Sequence, residues 1–221
     1  MKMLQLTYGI TFLFLFFHAE LIADTFRIAR LKYDGGGDWY QNRTSLKRLQ
    51  ASLAVRFGLN TGKEEITVNL REHNLFNYPF LVIFGHGNIR FSPDERIRLK
   101  TYLTHGGFLW VDDDYGLDKA FRREIAKVFP DSPLIELPHT HQIYQMYYDF
   151  PNGLPKIHEH DGGPPHGYGL FYKGRMVVFY SFNTDIGDGM EVPGIHPQDS
   201  AQIQEEALKM GINIVFYALT H

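Results

Sequence analysis

The chain has 221 residues, 44% of them apolar, and 25 acidic against 22 basic side chains give a formal charge of −3. That is enough for one domain with a full core, without the broad basic footprint of a nucleic-acid binder or the composition of a disordered or repetitive chain. Cysteine is absent, which excludes a thiol nucleophile or a cysteine-ligated metal and leaves export open, because a domain of this size needs no disulfide.

At the amino terminus, Lys2 precedes a largely apolar stretch from Leu4 to Phe17, no acid occurs before Glu20, and the small residues Ala19 and Ala23 follow. This is the pattern of a secretory signal peptide over residues 1–23, too short in its apolar part for a comfortable membrane span. The expectation is a single mature domain over residues 24–221, beginning near Asp24 and located in the periplasm or outside the cell.

Phe26 to Tyr33 reads as the first strand. It runs into Asp34-Gly35-Gly36-Gly37-Asp38-Trp39-Tyr40, where glycines allow positive φ and close approach of main chain to a ligand, and where Trp39 and Tyr40 form an aromatic pair. The stretch lacks the lysine of a P-loop and the spacing of a dinucleotide fingerprint, so a turn carrying surface aromatics is favoured over a phosphate cradle. Asn42 or Thr44 is placed to cap a helix running to about Phe57. Glu65 to Leu70 is a short, polar edge strand. Phe80 to Phe84 is the most apolar strand and ends at Gly85-His86-Gly87, placing His86 at its carboxyl end. Ser92-Pro93-Asp94-Glu95 is a capping box with proline at the first helical position, predicting a helix to Thr104.

Phe108 to Val111 is an unbroken apolar run, suited to a strand covered on both faces, and it delivers Asp112, Asp113 and Asp114 to its carboxyl end. In open α/β sheets that edge is where ligands bind. A strand sends alternate side chains to opposite faces, so Asp112 and Asp114 are expected to share a site and Asp113 to lie apart. Asp118 to Phe129 is a helix with Ala120, Phe121, Ile125 and Val128 inward, and Pro133 to Leu137 a fifth strand. The alternation implies a parallel sheet with right-handed crossovers and helices on both faces.

After Leu137 the rhythm changes. His139-Thr140-His141 leads into an aromatic segment, in which Tyr144, Tyr147 and Tyr148 are read as exposed, and then into a Pro/Gly/His loop from Pro151 to Gly167 with the composition of an ordinary solvated connection. A hairpin pairs Tyr168–Tyr172 with Arg175–Ser181 across Lys173-Gly174. An acidic glycine-rich loop from Asn183 to Pro197 follows, and Ser200 caps a closing helix.

The segments RLKYDGGGDWY, YPFLVIFGHG with its SPDE helix start, GGFLWVDD, the FP at Pro130, HQIY, GRMVVFYS and GINIVFYAL together cover nearly all of the mature chain. In them the sequence resembles the bacterial domain-of-unknown-function family 4159. The resemblance implies a three-layer flavodoxin-like sheet similar to class I glutamine amidotransferases, with the hairpin and last helix added. It also implies an envelope setting, in some members alongside von Willebrand A or membrane modules. It implies no established activity. In amidotransferases a cysteine occupies the turn after a central strand, where this chain has Asp112 or Asp113, so thioester chemistry is excluded.

Two function classes remain. The first is a non-catalytic ligand- or protein-binding module, built on Asp34 to Tyr40 with His86, Asp112 and Asp114. Its partner would be an envelope protein, a glycan or a small molecule, alone or in a membrane-associated complex, and not nucleic acid. The second is a metal-dependent hydrolase in which His86 and Asp112, Asp113 and Asp114 do the chemistry. Its divalent metal would be held by His86, Asp112, Asp114, His139 and His141, although no tight ligand spacing such as HExxH occurs.

Overall fold

The structure is a computed structural model that describes residues 25–158, 160 and 162–221. The expected signal peptide and its cleavage site lie outside the described residues. Seven strands form one sheet in the order β2-β1-β3-β4-β7-β6-β5. They are β1 (Ile28–Lys32), β2 (Ile66–Asn69), β3 (Phe80–Ile83), β4 (Phe108–Asp112), β5 (Ile135–Glu136), β6 (His166–Tyr172) and β7 (Arg175–Phe182). β2, β1, β3, β4 and β7 run parallel, and β6 and β5 continue the sheet antiparallel. Five helices flank it: α1 (Ser45–Phe57), α2 (Pro93–Thr104), α3 (Asp118–Val128), the single turn α4 (Ile186–Gly189) and α5 (Ala201–Thr220).

This is the expected three-layer α/β fold, and the central strands explain it. β3 and β4 are buried along their whole length, as unbroken apolar runs covered on both faces must be. One face packs Leu81, Leu109 and Val178 against Leu99 and Leu103 of α2 and Phe121 and Ile125 of α3. The other packs Phe80, Trp110 and Phe179 against Leu46 and Leu49 of α1 and Met210 and Ile214 of α5. The capping box of α2 forms as expected, Ser92 Oγ accepting from Glu95 N–H at 3.3 Å while Glu95 accepts from Ser92 N–H at 2.8 Å.

Three expectations need correction. The fifth strand does not extend the parallel run: it is two residues long, pairs antiparallel with β6 at the sheet edge, and is exposed on both sides. The hairpin is not appended, because its second strand carries the apolar run Met176 to Tyr180 and inserts beside β4 as the fifth parallel strand. Tyr144 is buried rather than exposed, packed among the aromatic and aliphatic side chains of the α5 face, whereas Tyr147 stays on the surface.

The direction of winding reverses between β1 and β3, since α1 leads from β1 outward to β2 and the chain then returns to place β3 on the other side. That reversal is where an open α/β sheet splits into a ligand crevice.

Candidate functional site

The crevice above β1 and β3 is filled by main chain. Asp34 pairs with Arg90 in an isolated antiparallel bridge, and Gly37 and Asp38 donate N–H groups to Asn88 O at 3.0 Å and His86 O at 3.3 Å. A Cβ on Gly37 would lie 2.6 Å from His86 O, so the glycines of this loop serve packing of one loop on another. Asp38 takes His86 N–H on one carboxylate oxygen and faces His86 Nδ1 at 3.0 Å with the other. Burial opposes ionisation of Asp38, but the His86 N–H and the Gln41 amide outweigh it and hold the carboxyl below its ordinary range. Trp39 is half-buried under Lys32, and Tyr40 is exposed beside it in an edge-on pair.

The loop is braced from below by a residue whose role sequence alone does not reveal. Arg30, in the middle of β1 and 1% exposed, pairs with Glu65 and donates to the carbonyls of Trp39, Gln41 and Asn42. An arginine in an apolar strand reads as a solvent-facing exception; here it is the post on which residues 39–42 hang.

Asp112, Asp113 and Asp114 are all buried. Asp112 accepts from Ser181 Oγ and from Gly187 N–H at 2.7 Å, tying the turn α4 to the end of β4. Asp114 accepts the Asn42 amide at 3.1 Å. Asp113 turns to the opposite face, where it accepts from Leu117 N–H at 2.8 Å ahead of α3 and from Tyr180 OH at 3.2 Å. The alternation expected from strand geometry therefore holds. Burial pushes Asp112 and Asp114 well above the carboxylate range, with Asp185 and Asp188 adding like charge to both and Asp112 adding its own to Asp114. Burial also pushes Asp113 up to about 6. Among the described residues no hydrogen bond or ion pair links His86 to any of the three.

His139 and His141 are not brought to this edge. His139 is exposed on the connection after β5, and His141 caps a 3-10 turn, its Nδ1 accepting from Ile143 N–H at 3.3 Å, with its ring against Tyr217. Burial, with the neighbouring His221, lowers the His141 pKa.

The histidines that do converge come from the loop read as a solvated connection. The carbonyl of Thr184, just past β7, accepts N–H bonds from Ile157 at 3.0 Å and His158 at 3.1 Å, which docks residues 157–158 against the start of α4. His158 Nδ1 then lies 3.4 Å from Asp185 Oδ2 and 3.3 Å from Asp188 Oδ2, while its Nε2 meets Asp199 Oδ1 at 2.8 Å. His160 Nε2 contacts Asp185 Oδ2, and His196 Nε2 lies 3.0 Å from Glu191 and 3.7 Å from Asp188. Asp185 is wholly buried, sits in the left-handed region at φ 61°, and has one oxygen, Oδ1, without a partner. Asp185, then Asp188 and Asp199, push the His158 pKa up to about 11 against the effect of burial. The signal for this group was weak, because its members spread over some forty residues and only the fold closes the distance.

On the other face of the sheet, beside the filled crevice, a cleft of about 600 Å³ opens between the loop after β3 and helices α2 and α3. Arg71, Arg90, Arg96, Arg123 and Lys127 line it against Asp34, Glu95 and Glu124. Arg71 pairs with Asp34 and Glu95, and Arg123 and Lys127 both pair with Glu124. Arg96 Nε donates to Phe91 O at 3.0 Å. Arg90 is exposed, and its guanidinium makes no hydrogen bond or ion pair among the described residues.

No curated protein matches this chain. A family model described as a domain of unknown function, DUF4159, matches residues 27–219, from within β1's approach to the last turn of α5. The match spans every strand and helix described above, and the chain belongs to the DUF4159 family.

Proposed function

We propose that this chain is an exported binding module of the cell envelope, without turnover of its own, that takes an anionic ligand in the arginine-lined cleft. The observation that carries the reading is the charge of that cleft: five cations against three carboxylates, on a chain whose total charge is −3. Arg90 is left free to bind, and Arg guanidinium groups match carboxylate and phosphate oxygens in a bidentate geometry. The location at the carboxyl edge of the parallel strands favours a ligand site over an incidental patch. The signal-peptide pattern of residues 1–23 supports the envelope setting. Kinship with class I glutamine amidotransferases belongs to the same reading, supported by the five parallel strands and by Asp112 and Asp113 at the carboxyl end of the central strand β4.

Hydrolysis through His86 and the three aspartates has less support. Asp112 and Asp114 are fully buried and already engaged by Ser181, Gly187 and Asn42, so neither offers an oxygen to a substrate.

The test is a titration of the mature protein with an oligouronate and, separately, with inorganic polyphosphate, at low and at physiological salt. Binding that weakens steeply with salt, and weakens about tenfold in Arg90→Glu, is the expected result; tenfold corresponds to about 1.4 kcal/mol. Failure to bind either probe, or binding indifferent to Arg90→Glu, overturns the reading.

A further inference from the structure

We propose that His158, His160, Asp185 and Asp188 form a binding site for one divalent first-row metal ion, of which zinc is the probe of choice. The site is separate from the arginine-lined cleft, lies on the opposite face of the sheet, and does not depend on the binding function assigned there.

Spacing is the first argument. With metal bonds of about 2.0–2.2 Å to imidazole nitrogen and carboxylate oxygen, two ligands of one tetrahedral ion stand about 3.4 Å apart. His158 Nδ1 lies 3.4 Å from Asp185 Oδ2 and 3.3 Å from Asp188 Oδ2. Both separations exceed the roughly 2.9 Å of a good N–H···O bond and match the edge of a coordination tetrahedron. The ligand atoms of His158, His160 and Asp185 all lie within 4.8 Å of one another.

Orientation is the second. A histidine that ligates through one nitrogen usually donates its other N–H to a carboxylate, which fixes the tautomer. Asp199 fills that role: its side chain is 1% exposed and its Oδ1 meets His158 Nε2 at 2.8 Å, so Nδ1 is the nitrogen turned toward Asp185 and Asp188. The main-chain bonds from Ile157 and His158 to Thr184 hold the ring in place from behind.

The third argument is independent of both. Asp185 is 0% exposed and Asp185 Oδ1 has no partner, a costly state for a carboxylate whose other oxygen already faces two imidazoles. Its left-handed backbone, uncommon for a residue other than glycine, is maintained by the same turn that aims the carboxylate at His158. A bound cation satisfies this carboxylate and offsets the like charge of Asp185 and Asp188.

His160, with 38% of its side chain exposed, provides the open side through which an ion enters. His196 is assigned no ligand role, because its Nε2 already faces Glu191 at 3.0 Å. Two imidazoles with two carboxylates select a zinc-like ion over calcium or magnesium, which prefer all-oxygen shells.

The experiment is isothermal titration of tag-free, EDTA-stripped full domain with zinc chloride, and with magnesium chloride in parallel. About one equivalent of zinc should bind, magnesium should not compete, and zinc should raise the melting temperature. His158→Ala and the exposed His160→Ala should each weaken zinc more than about 100-fold, and Asp199→Asn, which only orients His158, about 10–100-fold. His196→Ala should change affinity less than about threefold. His160→Ala tests the site without disturbing the core, and its circular dichroism should be that of the parent. Absence of stoichiometric zinc in the parent overturns the proposal. So does zinc affinity unchanged in both His158→Ala and His160→Ala, or affinity that follows His196 and ignores His160.

Discussion

Two groups of carboxylates meet at the same sheet edge and are treated in opposite ways. Asp112 and Asp114 at the end of β4 are buried with donors in place: a serine hydroxyl, a main-chain N–H and an asparagine amide. Asp185 and Asp199, in the loops past β7, are buried with one oxygen each left bare. The first group ties β4 to α4 and to the loop before α1, and holds the edge closed. The second is an arrangement that costs stability as it stands, which is how sites awaiting a ligand are commonly built. Position at the edge therefore does not identify a site; what sets Asp185 apart is a bare oxygen on a carboxylate that already faces two imidazoles.

The largest expected effect belongs to the closed side. Arg30→Met removes the guanidinium that donates to the carbonyls of Trp39, Gln41 and Asn42 and leaves Glu65, whose Oε2 is already unpartnered, without its ion pair to Arg30. Breaking a fully buried pair from one side costs about 3–5 kcal/mol; Glu65 keeps some contact with solvent, so equilibrium urea unfolding should show a loss toward the lower end, about 3 kcal/mol. On the open side, Asp185→Asn in metal-free protein should cost less than that, since asparagine tolerates the left-handed backbone and Asp188 and Asp199 remain to pair with His158. Equal losses for the two variants would break the comparison.

Much of this fold was legible in the sequence. The apolar runs of β3 and β4, the capping box at Ser92 and the serine cap at Ser200 each state their structure locally, and the parallel order follows from their alternation. The aspartates at the end of β4 were legible as a place, and the alternation of Asp112 and Asp114 against Asp113 follows from the pleat. What they do there was not legible, because Ser181, Gly187 and Asn42 reach them from three other segments. The same holds for Arg30, whose acceptors are main-chain carbonyls that a sequence cannot display. The histidine cluster was hidden more deeply. His158 and His160 sit in a glycine- and proline-rich stretch whose composition matches any solvated loop, and only docking on Thr184 brings them to Asp185 and Asp188.

A middle-sized effect sharpens the comparison by titration. Asp113 belongs to neither group: it caps the approach to α3 and has donors on both oxygens, yet burial lifts its pKa to about 6. Because the folded value exceeds the unfolded one near 3.8, the native state binds the proton more tightly. Its contribution is fully present below about pH 4 and is lost as pH rises through about 6, by up to about 3 kcal/mol. Unfolding free energies measured between pH 4 and 7 should therefore fall less steeply in Asp113→Asn than in the parent. A slope unchanged by that substitution would mean that Asp113 is not held in its acid form, and that its burial is compensated as fully as its two donors suggest.

The smallest expected effect is also the plainest check on which histidines matter. His139 follows β5, sits next to His141 in a His-Thr-His pattern that invites a metal assignment, and is exposed, its ring lying over Gly153. It is remote in contact from every carboxylate of either group: among the described residues it makes no hydrogen bond or ion pair. His139→Ala should change stability by no more than about 0.5 kcal/mol, as expected for a surface site. Zinc affinity should stay at the parent value, while the same substitution at His160, also an exposed histidine, weakens it more than about 100-fold. The two variants share residue type, both lie on exposed residues, and they differ in neighbours. Loss of zinc binding in His139→Ala would return the site to the histidines that the sequence pattern favours and remove the cluster at Asp185 from consideration.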